Sequence, residues 1–540
     1  MGDNLNARRK FIQQVATGLA VAVPATALGG TFANAATVTG SAQQKSKKQD
    51  YIFNVLDYGA VPDGQTTSTK AIQSAVDDCG KAGGGKVVVT PGVFLTGPIF
   101  LRSNVEVEIL GGAKLLASPN FDDYPTIQGR WEGNDRTIFA SLFTGLDVEN
   151  IAITGRGTID GQGPIWWKAN HETNQLRKQA GIKEREPENP PGSPLRWPRP
   201  RMINLYRCKN ILISGITITQ SPSWNVHPVL CERINIDGVT ILNPNRAPNT
   251  DGIDPESCKD VRIANCHIST GDDCIIIKSG YRYREGGVPT ENVVITNCVF
   301  KDGWCGVGIG SETAGGVRNV VASNCVCIGT RMGFYLKTAR GRGNTIENIS
   351  ISNWVMRDLS RTALFVSMFY SGERRAMPVN EFTPAIRNIH LSDIVVDGAE
   401  RAGLVEGLPE RAIEDVTIRN VTVTSAKTGF VCSSANGLTF ENVSVNALET
   451  PALSATKIRD LEISSFTSKK PNAKSPVIRL SEVNDAVVQS CTAAVGTETF
   501  LEIAGNANAD IAVVSNRLSK ANKAVSFADG AAESVLEKLT

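Results

Sequence analysis

From about residue 200 onward, apolar and polar positions alternate over short runs, and the runs recur. NILISGITI, RINIDGVTI, VRIANCHIS, NVVITNCVF, NVVASNCVC, NTIENISIS, NIHLSDIVV, DVTIRNVTV, LTFENVSV and IRDLEISSF share this pattern. Alternation with a period of two marks a strand with one buried face. Spacings cluster in the low twenties, with Gly, Asn and Asp between units. No helical stretch of ten or more residues separates the units, which argues against alternating strands and helices. Propeller blades need periods nearer 40, and sandwiches need hairpin turns. The pattern therefore predicts an all-β chain coiled as a right-handed parallel β-helix. Each turn buries its apolar face only against its neighbours, and equivalent side chains stack at roughly 4.8 Å.

The segment before residue 200 reads as the start of the same solenoid. YIFNVLDYGAVPDGQTTSTKAIQSAVDDCGKAGGGKVVVTPGVFLTG contains a strand, a turn, a helix near 68–80 and the strand KVVVT. Ser68 or Thr69 is the expected cap of that helix, which would cover the open end of the coil. The GGG run at 83–85 lacks a following Lys-Ser/Thr and precedes a strand, so it reads as a turn. Three insertions, at 159–200, 281–291 and 366–385, are read as loops rich in aromatic residues and Arg, suited to stacking sugars and pairing with carboxylates. Trp166 and Trp167 either form a stacking platform or pack the first of these loops.

The N-terminus, with Arg8-Arg9 before an Ala-rich apolar run and the small residues Ala33-Asn34-Ala35, predicts a Tat-type export segment over 1–35. A flexible linker is expected over 36–50, a single catalytic β-helix over 51–515, and a tail or cap over 516–540. No membrane insertion is expected after processing, and the implied location is periplasmic or secreted. Composition narrows the partners. Lys plus Arg is 56 and Asp plus Glu is 54, a formal charge of +2, so nothing resembles the basic bias of a nucleic-acid binder. The chain has 12 Cys and only four His without compact ligand spacing. No metal or cofactor is expected. Cys266, Cys298 and Cys325 each follow Asn in a repeated strand context and are expected to stack as buried thiols. A monomer is expected.

Candidate chemistry concentrates in NTDGIDPESCKDVRIANCHISTGDDCIIIKSG, residues 249–280. Asp251 and Asp272 are 21 residues apart, close to one turn of the coil, and Asp273 adjoins Asp272. Both groups should leave consecutive rungs near the same corner and face one groove. Adjacent carboxylates repel, so one is expected to hold a proton near neutrality. A protonated acid beside charged ones suits glycosidic cleavage, where an inverting pair stands about 6.5–9.5 Å apart. The alternative is that these are turn-forming acids, and Asp254 is read as a structural turn residue.

The same segment resembles the pectin-degrading glycoside hydrolases of the polygalacturonase family, family 28. Asn249-Thr250-Asp251 and Gly271-Asp272-Asp273 match its Asn-Thr-Asp and Gly-Asp-Asp turns, and SPSWNVHPV at 221–229 resembles the stretch before them. VLDYGAVPDG and GGGKVVVTPGVFLTGPI resemble its opening turns, so the resemblance spans about residues 52–440. It implies inverting hydrolysis, with Asp272 as general acid and Asp251 and Asp273 activating water. It also implies a pectic, galacturonate-containing substrate. Two blocks depart from the pattern. Gly306-Val307-Gly308 stands where the family has Gly-His-Gly, and Tyr335 takes the place of Arg in GFYLKTARGRG, although Lys337 matches the family's Lys. A lone Lys offers a point charge without the fork of Arg. Lys337, Tyr335, His227, Lys278, Asn249, Trp224 and Glu312 are the expected substrate-binding residues. Arg340 and Arg342 either add a basic wall or close their own turn. The insertions suggest exo action. Alternatives are a rhamnogalacturonan or other variant pectin hydrolase of this family, a non-catalytic carbohydrate-binding β-helix, and a polysaccharide lyase.

Overall fold

Three stacked columns of side chains hold the chain in its coil. In the first sheet, Ile151, Ile211, Ile234, Val261, Val293, Val320, Ile349, Ile389 and Val416 pair in register from rung to rung. In the second, Ile159, Ile218, Ile241, Ile268, Phe300 and Cys327 do the same. In the third, Ile253, Ile275, Val307, Phe334 and Leu364 form the column. All are buried. Alternation at period two sends each of these inward and its neighbours outward. The computed structural model describes residues 51–182 and 189–537. The strands of these three sheets pair in parallel, as a β-helix requires, and among the described residues the one antiparallel pair of strands is the hairpin Thr126–Trp131 with Asn134–Phe139. The readings of 1–35 as an export segment and 36–50 as a linker lie outside the described residues.

The corners are made by residues that tolerate a left-handed backbone. Asn292, Asn319, Asn348 and Asn388 have φ between 55° and 60°. Each side-chain amide donates to the acid or amide one rung below, at 2.7–3.0 Å. Asn pays less than other non-Gly residues for this conformation. The Asn before each repeated Cys plays the same part: Asn265, Asn297 and Asn324 have φ of 56–58°. Cys266, Cys298 and Cys325 follow them into the core, and each thiol donates to a carbonyl two residues earlier at 3.2–3.3 Å. The buried-thiol ladder is thus present.

The N-terminal helix spans Thr69–Lys81 and buries Ile72, Ala75, Val76 and Cys79 against the first rungs. Its capping differs from expectation. Ser68 stands at the cap position, but its side chain makes no cap bond and accepts from the Val61 N–H at 3.0 Å instead. Thr69 accepts from the Gly97 N–H at 2.7 Å, tying the helix to the coil. The insertion read as a loop contains a helix, Gly163–Gln179. Its pattern is hard to see because only Trp166, Ala169 and Thr173, with Gly163, are buried on it. Trp166 packs against Phe121, Tyr124 and Phe139, and Trp167 donates to the Ser221 carbonyl at 3.0 Å. Both Trp residues therefore anchor the insertion. Parallel pairing continues past residue 515 to Lys523–Ala528.

Val307 does not face the groove. It is fully buried between Ile275 and Phe334 in the third-sheet column, so it does not stand in for a catalytic-site His. The Val307→His variant should lose roughly 2–4 kcal/mol of stability, the cost of an unpartnered polar ring in the core. Urea unfolding checks this; unchanged stability would show that position 307 is not core.

Candidate active site

The third sheet sets the geometry. Ile253 bridges Val226 below and Ile275 above, so the coil advances 22 residues here. Counting back two positions from each of Ile253 and Ile275 places Asp251 beneath Asp273, with Asp272 beside them at the same corner. Two glycines permit the close approach. A Cβ on Gly252 would lie 2.3 Å from the Cys274 carbonyl oxygen, and one on Gly271 would lie 2.2 Å from that of Ala247. Thr250 accepts from the Gly271 N–H at 3.0 Å and clamps the two turns together.

The carboxylate oxygens of Asp251, Asp272 and Asp273 lie within 4.8 Å of one another. That distance joins one oxygen from each carboxyl, so the three groups converge on a single point at the corner. Rung spacing, not the length of an intervening side chain, fixes the separation. Asp272 is the most solvent-exposed of the three; Asp251 and Asp273 are buried. Burial and the charge of Asp273 push Asp272 up to about 6, against the pull of Lys337 and Lys278. Burial, with Asp272 and Asp254 nearby, pushes Asp251 well above the usual carboxylate range. The cluster therefore holds protons that isolated acids would lose at neutral pH. Asp273 accepts from Lys337 Nζ at 3.1 Å.

Lys278 is the hub among the acids, on the rung of Asp273 and one above Asp254. Its Nζ lies 3.8 Å from Asp251, 3.7 Å from Asp254 and 4.0 Å from Glu312. It also sits 4.4 Å over the ring of Trp224. Burial opposes its charge, but Glu312, Asp254 and Asp251 outweigh burial and hold its pKa well above the ordinary value. Asp254 is not a turn acid at the surface. It is fully buried next to Ile253, and burial raises its pKa well above the usual range, opposed by Lys278. One cation thus compensates a crowd of carboxyls that could not otherwise share so small a volume.

The remaining expected residues divide. Tyr335 and Lys337 project from one strand, Met332–Lys337, with the ammonium 4.3 Å over the phenol ring. Glu312 is buried beside Lys278. Asn249, at φ 52°, has its side-chain oxygen held by Arg199 at 2.7 Å. Trp224 and His227 lie within the wall: Trp224 stacks on Trp131 at 4.6 Å, and His227 Nε2 lies 3.1 Å from Glu256. Burial and the nearby Arg201, Lys278 and Arg130 push His227 well below its ordinary pKa. Arg340 forks onto Glu410 and Arg342 binds the carbonyls of Ser311 and Tyr281, so both close loops.

Sequence reasoning missed Arg199, Arg201, Glu256 and Cys305. Arg199 also donates to the carbonyls of Pro222 and Pro248 at 2.7 and 2.9 Å. Arg201 is fully buried between Trp131 and Trp224 at 4.9 and 5.1 Å. Cys305 stands one rung above Asp273 and packs with Met332 and Tyr335. Their partners are 23–50 residues or more away in sequence, so no local spacing announces them. Beside Asn249, a cavity of about 410 Å³ is lined by Trp131, Arg136, Arg177, Lys178, Trp197 and Arg199, among others. The helix Gly163–Gln179 and the chain at 195–199 wall it.

The glycosyl hydrolases family 28 model matches residues 193–446. A model described as rhamnogalacturonase A/epimerase, pectate lyase-like, matches residues 52–180. A Vitis vinifera protein named "Probable polygalacturonase" is 34% identical over 401 residues, covering 71% of this chain and 77% of that protein. An endo-polygalacturonase of Pectobacterium carotovorum subsp. carotovorum is 31% identical, covering 67% and 86%. The crystal structure of an exopolygalacturonase from Thermotoga maritima superposes with a TM-score of 0.63 at 33% identity, covering 73% of this chain and 91% of that one. With a parallel β-helix that carries stacked acids in one groove, and with these relatives, the chain belongs to the glycosyl hydrolases of family 28 and is a glycoside hydrolase.

Proposed function

We propose that the protein hydrolyses pectic, galacturonate-containing polysaccharide with inversion, and that it works from a chain end. The observation that carries this reading is the Asp251, Asp272 and Asp273 cluster, with oxygens within 4.8 Å at one corner of the coil. Asp272, half-buried and the least buried of the three, with its pKa pushed up to about 6, is suited to give a proton to the leaving oxygen. Asp251 Oδ1 and Asp273 Oδ1 have no hydrogen-bond partner among the described residues. They can therefore accept both protons of an attacking water. Asp273, the carboxylate paired with Lys337, takes a proton as the water adds to the anomeric carbon, Asp251 helps to hold that water, and Asp272 loses a proton to the departing sugar.

Substrate chemistry is supported by charge. Lys337 and the basic cavity beside Asn249 place cations on both sides of the acids, suited to a polymer with a carboxylate on each sugar. The helix Gly163–Gln179 walls the cavity beside Asn249, and a walled end of the site supports exo action. A pectic polymer is met outside the cytoplasm, in keeping with the Tat-type export expected from Arg8-Arg9.

Two outcomes test the assignment. Asp272→Asn should lower kcat on oligogalacturonate by at least about 10²-fold while substrate still binds. In the wild type, kcat/KM should fall as pH rises through about 6, because the acid must be protonated; in the variant, residual activity should lose that limb. Near-normal turnover by a folded variant would overturn the role of Asp272. Lys337→Ala should lower kcat about 10–100-fold. It should also move the limb to higher pH, since Lys337 pulls the Asp272 pKa down. A pH profile that does not move would show that Lys337 does not act on the acids.

A further inference from the structure

The corner that carries Asp272 continues along the coil as a column of a different character. The Trp304 N–H donates to the Asp272 carbonyl at 2.9 Å, placing Trp304 one rung further on. Arg331 follows, its N–H donating to Gly303, and the Arg361 N–H donates to the Arg331 carbonyl at 2.9 Å. Asp272, Trp304, Arg331 and Arg361 thus occupy one corner on four consecutive rungs. The Arg331 guanidinium lies 4.4 Å from the Trp304 ring centroid and that of Arg361 lies 5.3 Å from it. Trp304 and Arg331 are half-buried and Arg361 is exposed.

Most groove-side cations in this protein are matched. Lys337 has Asp273, Lys278 has three carboxyls, and Arg340 has Glu410. Arg331 and Arg361 differ: neither guanidinium makes a hydrogen bond or ion pair with a described residue, and both share one indole. Two like charges held on one ring by a rigid corner repel each other, and an anion between them would relieve that repulsion. Their planar forks fit a carboxylate with two parallel hydrogen bonds, while the indole orients them. The rung spacing of roughly 4.8 Å is similar to the length of one pyranose, so a sugar chain lying along the groove can present a carboxylate at each rung.

We infer that Trp304, Arg331 and Arg361 form a binding subsite for the carboxylate of a uronate residue, one to two rungs beyond the cleaved bond. The assignment rests on the pectic-substrate reading above. It gives this chain a guanidinium pair at the groove edge, separate from Tyr335 and Lys337 in the floor. A neutral or methyl-esterified sugar at this position gains nothing from it.

The test is the double variant Arg331→Gln/Arg361→Gln, with Arg331→Lys/Arg361→Lys as the charge-conserving control. Circular dichroism and melting temperature verify folding. On oligogalacturonate, KM should rise about tenfold in the Gln pair, with kcat within about twofold, and the Lys pair should recover part of the loss. On methyl-esterified oligomers the Gln pair should match the wild type. Equal loss on both substrates, or no change on either, overturns the subsite. If the wild type cleaves neither oligomer, the pectic reading itself fails. Calorimetric titration of trigalacturonate at two salt concentrations then decides the subsite alone. Salt-sensitive binding that the Gln pair abolishes supports it, and identical isotherms, including no binding to either protein, overturn it.

Discussion

Parallel stacking of one rung on the next is the constraint on which everything else depends. It converts sequence separation into position: 22 residues along the chain become one strand spacing in the groove, and Asp251 comes to lie beneath Asp273. The aliphatic columns inside the coil enforce this register, because a slip of one residue would turn every inward side chain outward. The glycines at 252 and 271 are the local condition, since any side chain there would collide with a carbonyl of the neighbouring turn.

Stacking also creates the electrostatic problem that the site exploits. Acids a rung apart, in a buried corner, cannot all be ionised. Lys278 from the same rung and Lys337 from above compensate part of the charge, and the rest appears as raised pKa values at Asp251, Asp254 and Asp272. Asp272, the least buried of the three, is pushed up to about 6, which fits it to the proposed role of proton donor. The hidden layer of Arg201, Trp131, Trp224, His227 and Glu256 holds Lys278 in place from behind, and Arg130 ties that layer to Glu256.

The coil and its acid cluster were legible in the sequence because their signals are periodic or adjacent. Alternating runs announce rungs, and Asn-Thr-Asp and Gly-Asp-Asp sit one turn apart. Val307 was set at the acids by the resemblance of Gly306-Val307-Gly308 to the family's Gly-His-Gly block, whereas strand register sends it into the core; Cys305, two residues earlier, is the residue beside the acids. Asp254 looked like a turn acid because its neighbour Pro255 suggests one, yet the Ile253 bridge continues the sheet through it. The helix Gly163–Gln179 was hidden by a narrow buried stripe. Arg199, Arg201 and Glu256 gave no signal, since the contacts that define them are long-range and carry no spacing rule.

The central claim is a single displacement, in which water held by Asp251 and Asp273 attacks directly while Asp272 gives up its proton. Proton NMR of the first product released from an α-linked oligogalacturonate reads this outcome before the anomers equilibrate. The account predicts that the new reducing end appears first as the β-anomer. Initial accumulation of the α-anomer would mean that a carboxylate attacks the sugar itself, and would contradict it.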